Sequence, residues 1–357
     1  MTPLKYLGVA AALVIGAAGG STFAYFHLPL PWMLGAMAAC TIAALLRAPI
    51  RAPAPLVVTP MTMSVGVILG TAFSPDTFGH LKLWIVPLCG LVASVVLSAL
   101  TCITYFRAVV GFDIRTAYFS GMPGGLIDMI TLGQQSGADA RSIALVHSSR
   151  ILFVVFTLPF VFQALSGVRI GTAQAAAAAH FDGASFLQSL AWLVVVAAAG
   201  ACVGYVLRLR APFLLGPMLL SATIHLLGWS SFSAPFGVLN MAQWILGTSI
   251  GCRFVGIPPR EVLRVLVYST GSTVILFAVT AGVAFATSRV ASFGTIPLML
   301  AYAPGGLTEM SLMALSLQME VAFVAANHVL RVLLVTLGAA LLLPLLMRHD
   351  AKRSHRQ

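Results

Sequence analysis

The chain has 357 residues, of which 59% are hydrophobic and only 8% charged, and its mean hydropathy is +0.99. A soluble domain carries about a quarter charged residues, so a water-soluble globule is excluded. The net charge of +11 comes from Lys and Arg scattered through short loops, the distribution that orients membrane proteins rather than one that grips nucleic acid. Long apolar runs set off by basic or Pro/Gly punctuation predict an all-α polytopic membrane protein. The short alternating segments of an outer-membrane barrel are absent.

In chain order, the first apolar segment covers about Leu4–Phe26. It has the outline of a signal peptide, but the second half holds a counterpart at Leu190–Met218 that cannot be one, so it is read as a membrane helix. Segments over Trp32–Leu46 and Leu56–Phe73 follow, separated by a basic, Pro-rich loop with Arg47, Arg51, Pro53 and Pro55. A long segment, Leu83–Tyr105, leads to an interrupted stretch, Ala117–Gln135, and a spanning helix over Ser142–Leu165. The second half repeats this order through Phe186–Leu207, Pro212–Leu227, Gly237–Cys252, Val262–Ala286, the interrupted Ile296–Gln318 and Ala322–Met347. The expected organisation is a first membrane repeat at 1–165, a linker at 166–185, a second repeat at 186–347 and a basic cytoplasmic tail at 348–357.

The duplication is clearest around the interruptions. GMPGGLIDMITLGQQSGADARSIALVHSSR, ending at Arg150, aligns without a gap with YAPGGLTEMSLMALSLQMEVAFVAANHVLR, ending at Arg331, 181 residues on. The copies share Pro123/Pro304, Gly124/Gly305, Gly125/Gly306, His147/His328 and Arg150/Arg331, with acids at Asp128/Glu309 and Asp139/Glu320. Loop charge argues that each Pro-Gly-Gly stretch enters and leaves on one face. That arrangement leaves only Lys82, Arg169 and Arg289 outside, as the positive-inside rule favours. Five spanning helices plus one re-entrant segment per half makes the halves inverted repeats, with both termini cytoplasmic.

Pro-Gly-Gly within an apolar run breaks a helix, because Pro lacks an N–H and Gly admits other backbone angles. Such backbone is tolerated at membrane depth only where protein or a wet cavity surrounds it. The helix restarting after Gly125 or Gly306 aims free N–H groups at the break, a setting for an anion or carboxylate. Asp128 and Glu309 fall in its first turn, either as simple caps or as groups that bind a proton or Na⁺. His147 and Arg150, like His328 and Arg331, share a helix face. The arginines either hold an anion and balance the acids or snorkel to the headgroups. Asn327, Ser148 and Ser149 either line a polar path or join helices. Asp139 and Glu320 are read as caps. The candidate substrate- or ion-binding set is therefore Pro123, Gly124, Gly125, Asp128, His147, Arg150, Pro304, Gly305, Gly306, Glu309, Asn327, His328 and Arg331. The five cysteines show no paired spacing and read as small hydrophobes, and no HxxxH or HExxH motif supports a metal site.

The paired P-G-G-L-x-[DE]-M stretches, the H-x-x-R helices and the repeated L-G-x-M after the first segment resemble the AbrB-type duplicated membrane protein family of bacteria. The likeness covers nearly the whole chain. That family has carried two labels, regulator of gene expression and ammonia monooxygenase. The architecture is closer to inverted-repeat secondary transporters with broken helices. The expectation is a non-enzymatic transporter of the bacterial inner membrane for a small anionic or carboxylated solute, coupled to H⁺ or Na⁺. Its partners would be the solute or ion, the bilayer and a second copy in a homodimer, with no cofactor and no nucleic acid. The alternatives are an indirect, sensor-like regulator of gene expression and, less favoured, a membrane monooxygenase.

Overall fold

The structure, a computed structural model, describes residues 3–73, 75, 81–166, 183–209, 211–230, 235, 237–317 and 319–354. Most of the expected linker, with Arg169, lies outside these residues, as do His80, His180 and Arg210. The described residues form no strand, and the expected all-α architecture stands. The helices of the first half are α1 (Pro3–Tyr25), α2 (Pro31–Leu45), α3 (Pro55–Gly70), α4 (Ile85–Tyr105), α5 (Ile114–Gly121), α6 (Leu126–Gln135) and α7 (Ala140–Ser166). Those of the second are α8 (Gly183–Val206), α9 (Pro212–Leu226), α10 (Val238–Gly251), α11 (Pro259–Ser288), α12 (Thr295–Tyr302), α13 (Leu307–Ser316) and α14 (Val321–Ser354). The starts of α2, α5, α6 and α7 are each followed, 181 residues on, by the starts of α9, α12, α13 and α14. One boundary differs from expectation: α14 does not stop at Met347 but carries the helix into the basic tail as far as Ser354.

Among the described residues, six stretches are long and apolar enough to cross a membrane: Tyr6–Tyr25, Lys82–Val110, Ala140–Ala164, Phe186–Val206, Pro259–Ser288 and Val321–Ala339. The helices Pro31–Leu45, Pro55–Gly70 and Pro212–Leu226 are apolar but shorter. Large apolar side chains stand outward on the long helices, among them Val14, Val194, Val195, Val267 and Leu337, all more than half exposed. Such faces suit lipid, where helices satisfy their backbone internally.

The chain forms two compact units. The first comprises Met1–Leu81, Val155–Pro259 and Thr308–Ala322, the second Lys82–Val154, Arg260–Leu307 and Phe323–Gln357. In the first unit, proline opens α2, α3 and α9, where its missing N–H costs nothing. There α1 crosses α2 at backbone contact: a Cβ on Gly19 would lie 2.2 Å from the Gly35 carbonyl oxygen, and one on Gly35 2.2 Å from that of Gly19. The register partners Gly200 and Gly216 repeat the crossing between α8 and α9, where a Cβ on Gly216 would lie 2.1 Å from the Gly200 oxygen. Small residues are what let apolar helices pack this closely. In the second unit, Tyr118, Phe119, Met122 and Met129 pack with Ile143, Val335 and Ala339 into a buried cluster around the first break.

Candidate functional site: two clamped helix breaks

In the second unit, α5 ends at Gly121 and α6 begins at Leu126, while α12 ends at Tyr302 and α13 begins at Leu307. The helices restart immediately after Gly125 and Gly306, as the Pro-Gly-Gly motif predicts. Each break strands carbonyls at the end of the incoming helix. In a continuous helix the Phe119 carbonyl would accept from residue 123 and the Leu300 carbonyl from residue 304, but both residues are proline. His147 Nε2 donates to Phe119 O at 2.8 Å instead. His328 Nε2 donates to Leu300 O at 3.1 Å. A carbonyl only accepts, so in both rings Nε2 carries the proton.

One turn further, the arginines complete the clamp. Arg150 donates from Nη1 to Met122 O at 2.9 Å and from Nη2 to Ser120 O. Arg331 donates from Nη1 to Ala303 O and from Nη2 to Gly305 O. The planar fork of the guanidinium bridges two carbonyls, of which Ala303 O also accepts from Gly305 N at 2.8 Å, and its charge faces the negative end of the short helix. Arg150 is 2% exposed and Arg331 4%, so neither snorkels to a headgroup. Each senses the other's charge as repulsion. Two cations are thus buried in this unit against carbonyl dipoles.

The polar inventory of the interior is not closed by these bonds. Ser120 Oγ, Ser149 Oγ, Arg150 Nε, Asn327 Oδ1, His328 Nδ1 and Arg331 Nε are buried without a protein hydrogen-bond partner. Asn327 spends its amide on Phe323 O, 2.8 Å away in its own helix, and Ser148 is buried nearby in sequence. Pro123, Pro304 and Gly305 are buried, and Gly124, Gly125 and Gly306 are half-buried.

The two acids have different surroundings. Asp128, half-buried in the first turn of α6, accepts from Thr336 Oγ1 of α14 at 3.2 Å, and its carboxylate lies over Gly125. Gly125, the residue before α6, provides no side-chain cap. Glu309 belongs to the first unit, where the cation that feels its charge is Arg253, just past the end of α10. Arg253 Nη1 is buried without a hydrogen-bond partner. Neither partner has a counterpart in the other copy: residue 155 in the register of Thr336 is Val155, and residue 72 in that of Arg253 is Ala72.

Sequence reasoning missed Thr336 and Arg253 because each lies far along the chain from its acid and breaks the repeat pattern. It also missed Asp113, whose side chain accepts from the backbone amides of Arg115 and Thr116 at the start of α5; an Asp just before a helix was the available signal. Asp139 caps α7, accepting from Arg141 N at 3.0 Å and from Ser142 Oγ at 2.5 Å. The Ser142 hydroxyl foremost, then the Ser142 and Arg141 amides and the Arg141 charge, hold its carboxyl below the usual aspartate range against a raising effect of burial. Glu320 stands exposed just before α14. The described residues bring no three of His, Cys, Asp and Glu together as metal ligands would be.

Comparison with known proteins agrees with the motifs. Residues 32–347 match the family described as "Transition state regulatory protein AbrB". A Bacillus subtilis relative, "Uncharacterized protein YhjN", is 29% identical over 351 residues, covering 90% of this chain and 89% of the relative. An Escherichia coli relative, "Putative regulator AbrB", is 25% identical over 342 residues, covering 93% of this chain and 94% of that one. With the family pattern running through both helix breaks and both His-x-x-Arg clamps, the chain belongs to the AbrB family.

Proposed function

We propose that the protein is a secondary transporter of the bacterial inner membrane, moving a small anionic or carboxylated solute together with H⁺ or Na⁺. The observation that carries this reading is the pair of proline-glycine breaks, each fixed by a buried His-x-x-Arg clamp on the incoming helix. Fixing that end leaves the N-termini of α6 and α13 to present backbone N–H groups to an anion. In this reading Asp128 and Glu309 are the coupling acids. Arg150 and Arg331 set the positive field and hold the geometry, and the unpartnered Ser, Asn and His atoms offer hydrogen bonds to solute and water. Broken helices from two repeats meeting near the midplane are the architecture of several secondary transporters; that likeness is of fold and is joined here to the site's own chemistry.

The test has two steps. A thermal-shift screen of inorganic anions and small carboxylates, run with and without Na⁺, identifies a stabilising solute. Flux of that solute into proteoliposomes is then compared for the native chain, Asp128→Asn and Glu309→Gln. Both variants should lose flux while their reconstitution and elution profiles stay native, and undiminished flux in both would overturn the proposal.

A regulatory role is the second reading, favoured by the printed descriptions of the family and of the Escherichia coli relative. It calls for a cytoplasmic protein docking on the basic loops or on the tail from Arg348. Affinity capture with the full chain and with a chain ending at Met347 discriminates: a regulator retains a tail-dependent partner, a transporter does not.

A further inference from the structure

In the first unit, α10 crosses α2 at backbone contact over two turns. A Cβ on Gly247 would lie 2.4 Å from Met33 O, and one on Gly251 would lie 2.6 Å from Met37 O and 2.7 Å from Cys40 Cβ. The next residue is Cys252, so the crossing delivers its thiol to that of Cys40, and the two thiols interact. Both side chains are buried, at 0% and 4% exposure, and both thiols are free. Cys40 Sγ also donates to Ala12 O at 3.3 Å.

Packing does not require these sulfurs. The same crossing is built in register by α3 on α9, where a Cβ on Gly66 would lie 2.5 Å from Leu214 O and one on Gly70 2.6 Å from Met218 O. The residues in the register of Cys252 and Cys40 there are Thr71 and Ser221, and Ser221 Oγ simply donates to Val67 O at 2.8 Å. The thiol pair also has an entrance. Cys252 lines a cavity of about 840 Å³ whose wall includes Arg47, Arg51 and Val255–Pro258.

We propose that Cys40 and Cys252 are a redox-active thiol pair, oxidised by peroxide entering through the arginine-lined cavity to a disulfide that staples α2 to the end of α10. One sulfur of the pair, as thiolate, attacks one peroxide oxygen, giving a sulfenic acid and, after protonation, water. The other thiol then attacks the sulfenic sulfur, the S–S bond forms, and a second water leaves. Overall, two thiols and one hydrogen peroxide give one disulfide and two waters, the sulfurs losing the two electrons that the peroxide gains. A dithiol reductant reverses the step.

The test uses the full chain in detergent. Thiols are titrated after denaturation, before and after hydrogen peroxide, and the disulfide is mapped by mass spectrometry of non-reduced peptides. The native chain should fall from five free thiols to three, regain them with dithiothreitol, migrate as a monomer without reductant and yield a Cys40–Cys252 linked peptide. Cys40→Ser and Cys252→Ser should each keep their remaining thiols under the same treatment. Retention of all five thiols by the native chain, or a linked peptide joining other cysteines such as the exposed Cys89 and Cys202, would overturn the proposal. Because the peptide map is read on the native chain, the outcome does not depend on either variant folding.

Discussion

Phe119 and Leu300 owe their unusual partners to the proline four residues after each, and that single missing N–H accounts for the histidines. The arginines answer the carbonyls that follow. Charge-assisted hydrogen bonds contribute about 1.5–3 kcal/mol each, and a lysine at either place would keep the charge but lose the fork. Arg150→Lys and Arg331→Lys are therefore expected to destabilise the protein by about that amount, read as a lowered midpoint of thermal unfolding in detergent. Mutual repulsion adds a second expectation: each single replacement by methionine also relieves the repulsion, so with both arginines replaced the loss should be larger than the sum of the two single losses. Additive losses would show the two guanidiniums to be energetically independent. The acids also separate at this scale. Glu309→Gln strands the Arg253 charge, so adding Arg253→Gln should recover part of the lost stability, whereas the same addition to Asp128→Asn should recover none. Thermal unfolding of the two double variants checks this.

The helices themselves were largely legible in the sequence, since Pro-Gly-Gly fixed the restarts at Leu126 and Leu307 and proline marked the openings of α2, α3 and α9. What faces the helices was not legible. His147 and Arg150 meet carbonyls 28 to 30 residues back, and Asp128 meets a hydroxyl 208 residues on, distances at which periodicity carries no information. The end of α14 was not legible for a similar reason: charge ends a membrane span but not a helix, so α14 continues past Met347. Two predictions belong to elements. A Cβ on Gly124 would come within 2.9 Å of both Met129 Cε and Val335 Cγ1 inside the buried cluster, so Gly124→Ala should cost about 1–3 kcal/mol by overpacking, measured by thermal unfolding. The cap on α7 should depend on pH. The folded carboxyl of Asp139 titrates below its unfolded value, so its contribution is present at neutral pH and is lost as pH falls through the folded value. The stability advantage of the native chain over Asp139→Asn should therefore hold at neutral pH and vanish in acid below the ordinary aspartate range. An advantage unchanged in acid would contradict the cap.

At the scale of the molecule, duplication explains why the costliest residues of a charge-poor chain come in pairs, and departures from it show where the copies have specialised. Thr336 and Arg253 serve one acid each, and the thiol pair exists at only one of two matching crossings. The transport proposal needs the halves to lie in opposite senses, so that each break is reached from its own face of the membrane. Gln135, the last residue of α6, and Glu320, between α13 and α14, are exposed, and they report that sense directly. In a chain whose five native cysteines are replaced by alanine, Gln135→Cys and Glu320→Cys are treated separately with a membrane-impermeant maleimide on intact cells and again after permeabilisation. The account predicts that Glu320→Cys labels in intact cells and Gln135→Cys only after permeabilisation, and labelling of both from the same face would contradict it.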